Sequence, residues 1–277
     1  MNTRPPVIVI DSVTRLGPDA PNSVVLGGSH CGIYSAYLLA MSRVRAAVLN
    51  DAGIGRERAG ISGLDYLQAL GIPAATISHR SARIGDGRDA ERRGVISHSN
   101  EACLSLGISP GMFARDTAAL LNERAINWDG SLPIETESRV SVITPDGRKP
   151  GLALLDSVSL VDSSDIGQIV VTGSHGGLLG GRPETASKVD VFAALYNDAD
   201  VGIDDAGLTR LPALDLRGIA AATVSAWSAR IGDGRSTYED GFITHMNETA
   251  RRSGGEIGIR ARDFVAQIAQ AKFGSTL

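Results

Sequence analysis

The sequence predicts an α/β fold: a tandem duplication of a βαβ-type module, with parallel sheets covered by helices and two lobes related by a pseudo-twofold axis. Three observations carry this reading. They are an internal repeat with a domain-sized period of about 146 residues, short β-branched runs alternating with helical patterns, and small polar motifs recurring at strand ends.

The repeat is dense. Asp11-Ser12-Val13 returns as Asp156-Ser157-Val158, and Gly28-Ser29-His30 returns as Gly173-Ser174-His175, both at an offset of 145. Asn50-Asp51-Ala52 returns as Asn197-Asp198-Ala199 at an offset of 147, two residues having been gained near RPETASKVD of the second copy. The letters SARIGDGR occupy both Ser81–Arg88 and Ser228–Arg235, and the match ends with His98, Asn100 and Glu101 against His245, Asn247 and Glu248. Such a period is much longer than a solenoid repeat and points to two lobes. The expected division is 1–126 for the first repeat, 127–150 for a linker and 151–277 for the second repeat. Residues from about 5 to 125 and from about 150 to 273 should superpose. Within the linker, VSVI followed by Pro145-Asp146-Gly147 predicts a β-hairpin.

Taken in order, VIVI, SVVL, AAVL and AATI of the first copy predict buried strands, because they are short apolar runs bounded by Pro, Asp, Asn or Gly. Helical periodicity covers Tyr34–Ser42, Ala59–Leu70 and Val95–Leu106, with Gly71 and Gly107 as carboxyl-terminal caps. IVVT, FAALY and AATV repeat the plan in the second copy. Gly-Ser-His then follows SVVL, Asn-Asp follows AAVL, and Ser78 with SARIGDG follows AATI. The carboxyl edge of a parallel sheet is where crossover loops converge on ligands, so these three loops are expected to line one crevice per lobe or one shared crevice.

Each motif has a chemical and a structural reading. Gly-Ser-His sets Ser29 and His30, and again Ser174 and His175, before a helix whose amino end favours an anion; a plain cap would not explain the repeated histidine. Asp51 and Asp198 are strand-end carboxylates, either catalytic or capping. Arg83 and Arg230 offer a planar fork for a carboxylate or phosphate, with Ser78, Ser81, Asp86, Ser225, Ser228 and Asp233 beside them. The alternative is an internal Arg–Asp brace. His98 and His245 are expected at the border of a helical apolar stripe, as core-edge hydrogen bonders or as catalytic groups.

Composition excludes several classes. The net charge is −4 with charges interspersed, which recruits neither nucleic acid nor an anionic membrane. The opening MNTRPPVIVIDSV has too short an apolar stretch for a signal peptide or a span, so a cytoplasmic location is expected. Cys31 and Cys103 form no disulfide framework or Cys-x-x-Cys pair. No dinucleotide fingerprint or P-loop is present, and no cofactor or metal is expected.

The first expectation for function is therefore a cofactor-independent hydrolase for a small anionic or amide-bearing metabolite. Ser29, His30, Asp51, His98 and their repeat equivalents would supply the chemistry, and the SARIGDG loops would hold the substrate. A metal-dependent lyase or isomerase and a non-catalytic small-anion-binding protein are the alternatives. A small molecule is the expected partner, and a homo-oligomer is left open.

Overall fold

The computed structural model describes residues 7–142 and 150–273. The chain is an α/β protein with two mixed, mostly parallel sheets.

The first sheet holds β1 (Val7–Ile10), β2 (Val24–His30), β3 (Ala46–Asn50), β4 (Ala74–Ile77) and β5 (Ile96–Ser99). They lie side by side in sequence order, the first four parallel and β5 antiparallel. Alternating residues divide the apolar content between two faces, as a pleated strand demands. Val25, Ala47 and Leu49 pack beneath helices α1 (Ile33–Met41) and α2 (Gly63–Ala69). Val24, Leu26 and Val48 pack against α3 (Gly87–Arg93), α4 (Glu101–Ser105) and α5 (Ala114–Arg124). Because the strand order never reverses, the sheet has no topological switch point where a crevice would open by itself. A ligand site must be made with something else.

The second sheet repeats this order. It comprises β6 (Arg139–Val142), β7 (Leu152–Leu155), β8 (Ile169–His175), β9 (Ala193–Asn197), β10 (Ala220–Val224) and β11 (Ile243–Met246), with β6 and β11 antiparallel to their neighbours. β6 pairs antiparallel with β7, while the Pro145-Asp146-Gly147 turn of the expected hairpin lies outside the described residues. Helices α6 (Arg210–Asp215), α7 (Gly234–Glu239), α8 (Glu248–Arg252) and α9 (Ala261–Phe273) complete this half.

Three sequence expectations need correction. Ser29-His30 and Ser174-His175 end strands β2 and β8 instead of lying in the loops beyond them. His98 and His245 lie on antiparallel strands β5 and β11, not on helices; Asn100 caps α4 by accepting from the Cys103 N–H, so the helix begins only after it. Between β8 and β9 the second repeat has short 3-10 turns in place of a helix like α1. Gly180 and Gly181 sit at φ +59° and +69° there, and Pro183 follows, which together prevent a continuous α-helix.

The two halves pack through equivalent positions. Ala52, Ala59 and Ile84 meet Ala199, Ala206 and Ile231 in one small core. The Arg56 N–H donates to the Ala226 carbonyl (2.8 Å), and the Ile203 N–H donates to the His79 carbonyl (2.9 Å). Arg83 pairs with Asp204 at 3.0 Å and Arg230 with Glu57 at 3.2 Å. Each contact has its counterpart at the matched positions of the repeat. The loops that cross over adopt left-handed backbone at Ala52, Ile54, Glu57 and Arg58, and again at Ala199, Val201, Asp204 and Asp205.

Candidate functional site

Within each half, motif side chains knit the strand ends together. The Val13 N–H donates to Ser29 Oγ (3.0 Å), and the Val158 N–H donates to Ser174 Oγ (2.9 Å), tying Asp-Ser-Val to Gly-Ser-His. Asp11 and Asp156 accept from the Gly87 and Gly234 N–H groups, which fixes the SARIGDG turn against the same edge. Asn50 and Asn197 donate to the Ala82 and Ala229 carbonyls. Small polar side chains thus satisfy backbone groups that the strand ends leave open.

Between the halves lies a cavity of about 510 Å³ whose walls include Ser12, Ser29, His30, Ser157, Ser174 and His175. Both Gly-Ser-His segments therefore open into one shared space. His30 and His175 are also set against the opposite half. A β-carbon added at Gly232 would meet His30 Cε1 at 3.4 Å, and one added at Gly85 would meet His175 Cε1 at 3.1 Å.

The two imidazoles are neutral at physiological pH. Burial pulls His30 down to about 4; burial, followed by the nearby Arg210 charge, holds His175 well below its ordinary value. Their Nδ1 atoms accept the Gly32 and Gly177 N–H groups, each at 3.1 Å, so the neutral rings carry their protons on Nε2. Each ring thus keeps an Nε2–H donor rather than a proton-accepting nitrogen. Among the described residues neither serine hydroxyl bonds an imidazole, so no nucleophile–base pair of the expected kind is formed.

The remaining candidates lie elsewhere. Asp51 Oδ1 accepts from the His79 N–H (2.9 Å) and faces His79 Nδ1 (2.8 Å), and His79 Nε2 reaches Asp200 of the other half (3.1 Å). Burial works against the Asp51 carboxylate, but the hydrogen bonds and charge of His79 outweigh it and hold the group below its usual range. Asp198 has Ala226 in place of this histidine; it accepts the Ala226 and Asp200 N–H groups and the Thr244 hydroxyl, and burial pushes its carboxyl up. Arg83 and Arg230 form the inter-half ion pairs already described, and Asp86 and Asp233 cap α3 and α7. Ser78, Ser81, Ser225 and Ser228 make hydrogen bonds within their own turns or to the adjoining strand segment. His98 Nδ1 lies 3.5 Å from Thr76 Oγ1, and His245 Nδ1 is buried without a partner. None of these residues lines the shared cavity.

Arg210 was not expected. It is 1% exposed, lines the shared cavity, and has no carboxylate partner among the described residues. Its Nη1 donates to the Thr185 and Ala186 carbonyls, the guanidinium stands 5.3 Å from the Tyr196 ring centre, and Nε has no acceptor. Burial pulls its pKa below the ordinary value. The repeat alignment places Gly63 opposite Arg210 and Leu49 opposite Tyr196, so the charge belongs to the second half alone. That asymmetry was the one signal available in the sequence.

Among the described residues no cluster of His, Cys, Asp or Glu is placed to hold a metal ion, and no helix is long and apolar enough to cross a membrane. No family model, curated protein or solved structure matches the chain.

Proposed function

We propose that this protein binds a small anionic metabolite in the shared cavity, with Arg210 as its anchor. The observation that carries the reading is the buried guanidinium, which has no carboxylate partner among the described residues. Withdrawing an ion from water costs several kcal/mol unless a partner restores the lost interaction, and a carboxylate or phosphate would pair with the fork. Neutral Nε2–H groups of His30 and His175 add donors without adding charge. The cavity has the size of a small-molecule site.

The test is thermal denaturation with a panel of dicarboxylates, phosphate and phosphate monoesters, using the full chain and Arg210→Met. A ligand at a hundred times its Kd adds about 2.7 kcal/mol to the folded state, enough to raise Tm by several degrees. The expected result is a saturable rise in the wild type that Arg210→Met abolishes. Equal rises in both proteins, or none in the wild type, would overturn the reading.

The convergence of both Gly-Ser-His segments favours a second reading, in which the bound anion is hydrolysed. Water would then be the nucleophile, and the histidine Nε2–H groups would stabilise the developing oxyanion. Product formation by NMR from each ligand that binds separates turnover from binding alone.

A further inference from the structure

The shared cavity also holds the opposite charge. Glu137, two residues before β6, and Asp156, from the second Asp-Ser-Val, line the same walls as Arg210. Neither carboxylate forms an ion pair among the described residues, although Arg15 and Lys188 stand at the same cavity as exposed side chains. Asp156 spends its oxygens on the Gly234 and Ser138 N–H groups, and Glu137 is held by Ser157 and Tyr34. The chain thus keeps a buried cation and the carboxylates of Glu137, Asp156 and Glu184 on one small space, with no ion pair joining them among the described residues. An empty site gains nothing from that separation, whereas a ligand carrying both charges would satisfy each end.

We infer that the ligand is dipolar, its anionic group on Arg210 and a cationic ammonium or amidinium group on Glu137 and Asp156. This rests on the anion-site reading and narrows it to amino acids and related zwitterions. A second feature agrees with it. Glu137 and Asp156 also line an adjoining cavity of about 360 Å³ with Glu135, where Arg230 already pairs with Glu57 and Asp233, so the acidic side chains there outnumber the one cation. Burial and the neighbouring Asp156 charge push the Glu137 carboxyl above its usual range, the state that an arriving cation would relieve.

The test is titration calorimetry on the full chain with γ-aminobutyrate and ε-aminocaproate, each set against butyrate or caproate, which lacks only the ammonium group. The wild type should bind each amino acid about tenfold or more tightly than its uncharged-tail counterpart, the usual worth of one charge-assisted contact. Glu137→Gln should remove that advantage and leave the plain acids unchanged, while Arg210→Met should weaken both classes. Thermal denaturation of each variant reports that it is folded. If plain acids bind as tightly as amino acids, or if Glu137→Gln keeps the preference, the dipolar ligand is refuted and the anion site stands. If Arg210→Met binds every probe like the wild type, the anion site itself falls.

Discussion

Replacing Gly85 by alanine should damage the protein far more than the same change at its repeat equivalent, Gly232. Both glycines have left-handed backbone, at φ +80° and +85°. A side chain there costs about 1–2 kcal/mol from conformation alone. The surroundings then differ. A β-carbon on Gly85 would lie 2.5 Å from the Leu178 carbonyl oxygen and 3.1 Å from His175 Cε1, whereas on Gly232 its nearest neighbour would be His30 Cε1 at an ordinary 3.4 Å. Gly85 cannot retreat easily, because its N–H donates to the Gly28 carbonyl and its carbonyl accepts from the Gly180 N–H, both at 2.8 Å. Overpacking of this kind adds about 1–3 kcal/mol. Gly85→Ala should therefore cost about 2–5 kcal/mol in total, against about 1–2 kcal/mol for Gly232→Ala. Gly71→Ala is the control, since φ is +70° and nothing lies within 4 Å of its added carbon. Guanidinium denaturation midpoints at constant m-value measure all three. A Gly85→Ala cost within about 0.5 kcal/mol of the Gly71→Ala cost, the usual spread for harmless surface changes, would refute the close inter-half packing at His175.

The His79 bridge makes a pH-dependent contribution. Burial opposes the imidazolium, but Asp51 and then Asp200 more than offset it and raise the His79 pKa, with Arg80 acting against them. The stabilisation should be complete below the ordinary histidine pKa of about 6.5 and fade as pH rises through the higher folded value. On the acid side, the depressed Asp51 means that its share is present above about 3.9 and lost as pH falls through its folded value. The stability difference between wild type and His79→Gln, followed by denaturation across pH, should therefore peak between these limits; a difference that grows in alkali would contradict the bridge. Ser29→Ala leaves the buried Val13 N–H without its acceptor and should cost about 1–3 kcal/mol. Ser174→Ala should cost less, because Val158 is only partly buried. Thermal melts of the two variants check this order, and the reverse order would contradict it.

Strands such as VIVI and AATI were legible because four apolar residues between breakers suit a buried strand and are too few for a helix. The repeat made the second sheet legible with the first. The segment from Val95 to Leu106 misled because Val95, Ile96, Ala102, Cys103 and Leu106 mimic one helical stripe, although Asn100 is a capping residue that divides strand from helix. At the site, the matching Ser29 and Ser174 pointed to the shared cavity, but shared motifs also mark positions that build the scaffold. Arg83 and Asp51 belong to that group, and only their partners reveal it: Asp204 across the interface for Arg83, and His79 of the same half for Asp51. Glu137 and Arg210 were hard to find for the opposite reason. Neither belongs to a repeated motif, and what distinguishes them is that neither has an ion-pair partner among the described residues, which is a property of three-dimensional surroundings.

The left-handed loops that cross between the halves also set an order of events during synthesis. Ile54 and Val201, β-branched residues at φ +64° and +62°, sit in conformations that an isolated chain would abandon. Their loops are held from the opposite half, through the Arg56 and Ile203 N–H groups. As the chain leaves the ribosome, the first sheet can assemble from its own strands, but the segment around Ile54 has no carbonyl of Ala226 to bind until the second sheet exists. Closure of the shared cavity is thereby tied to translation past Ala226, which follows β10, and a nascent first half lacks the walls that Ser174, His175 and Arg210 supply.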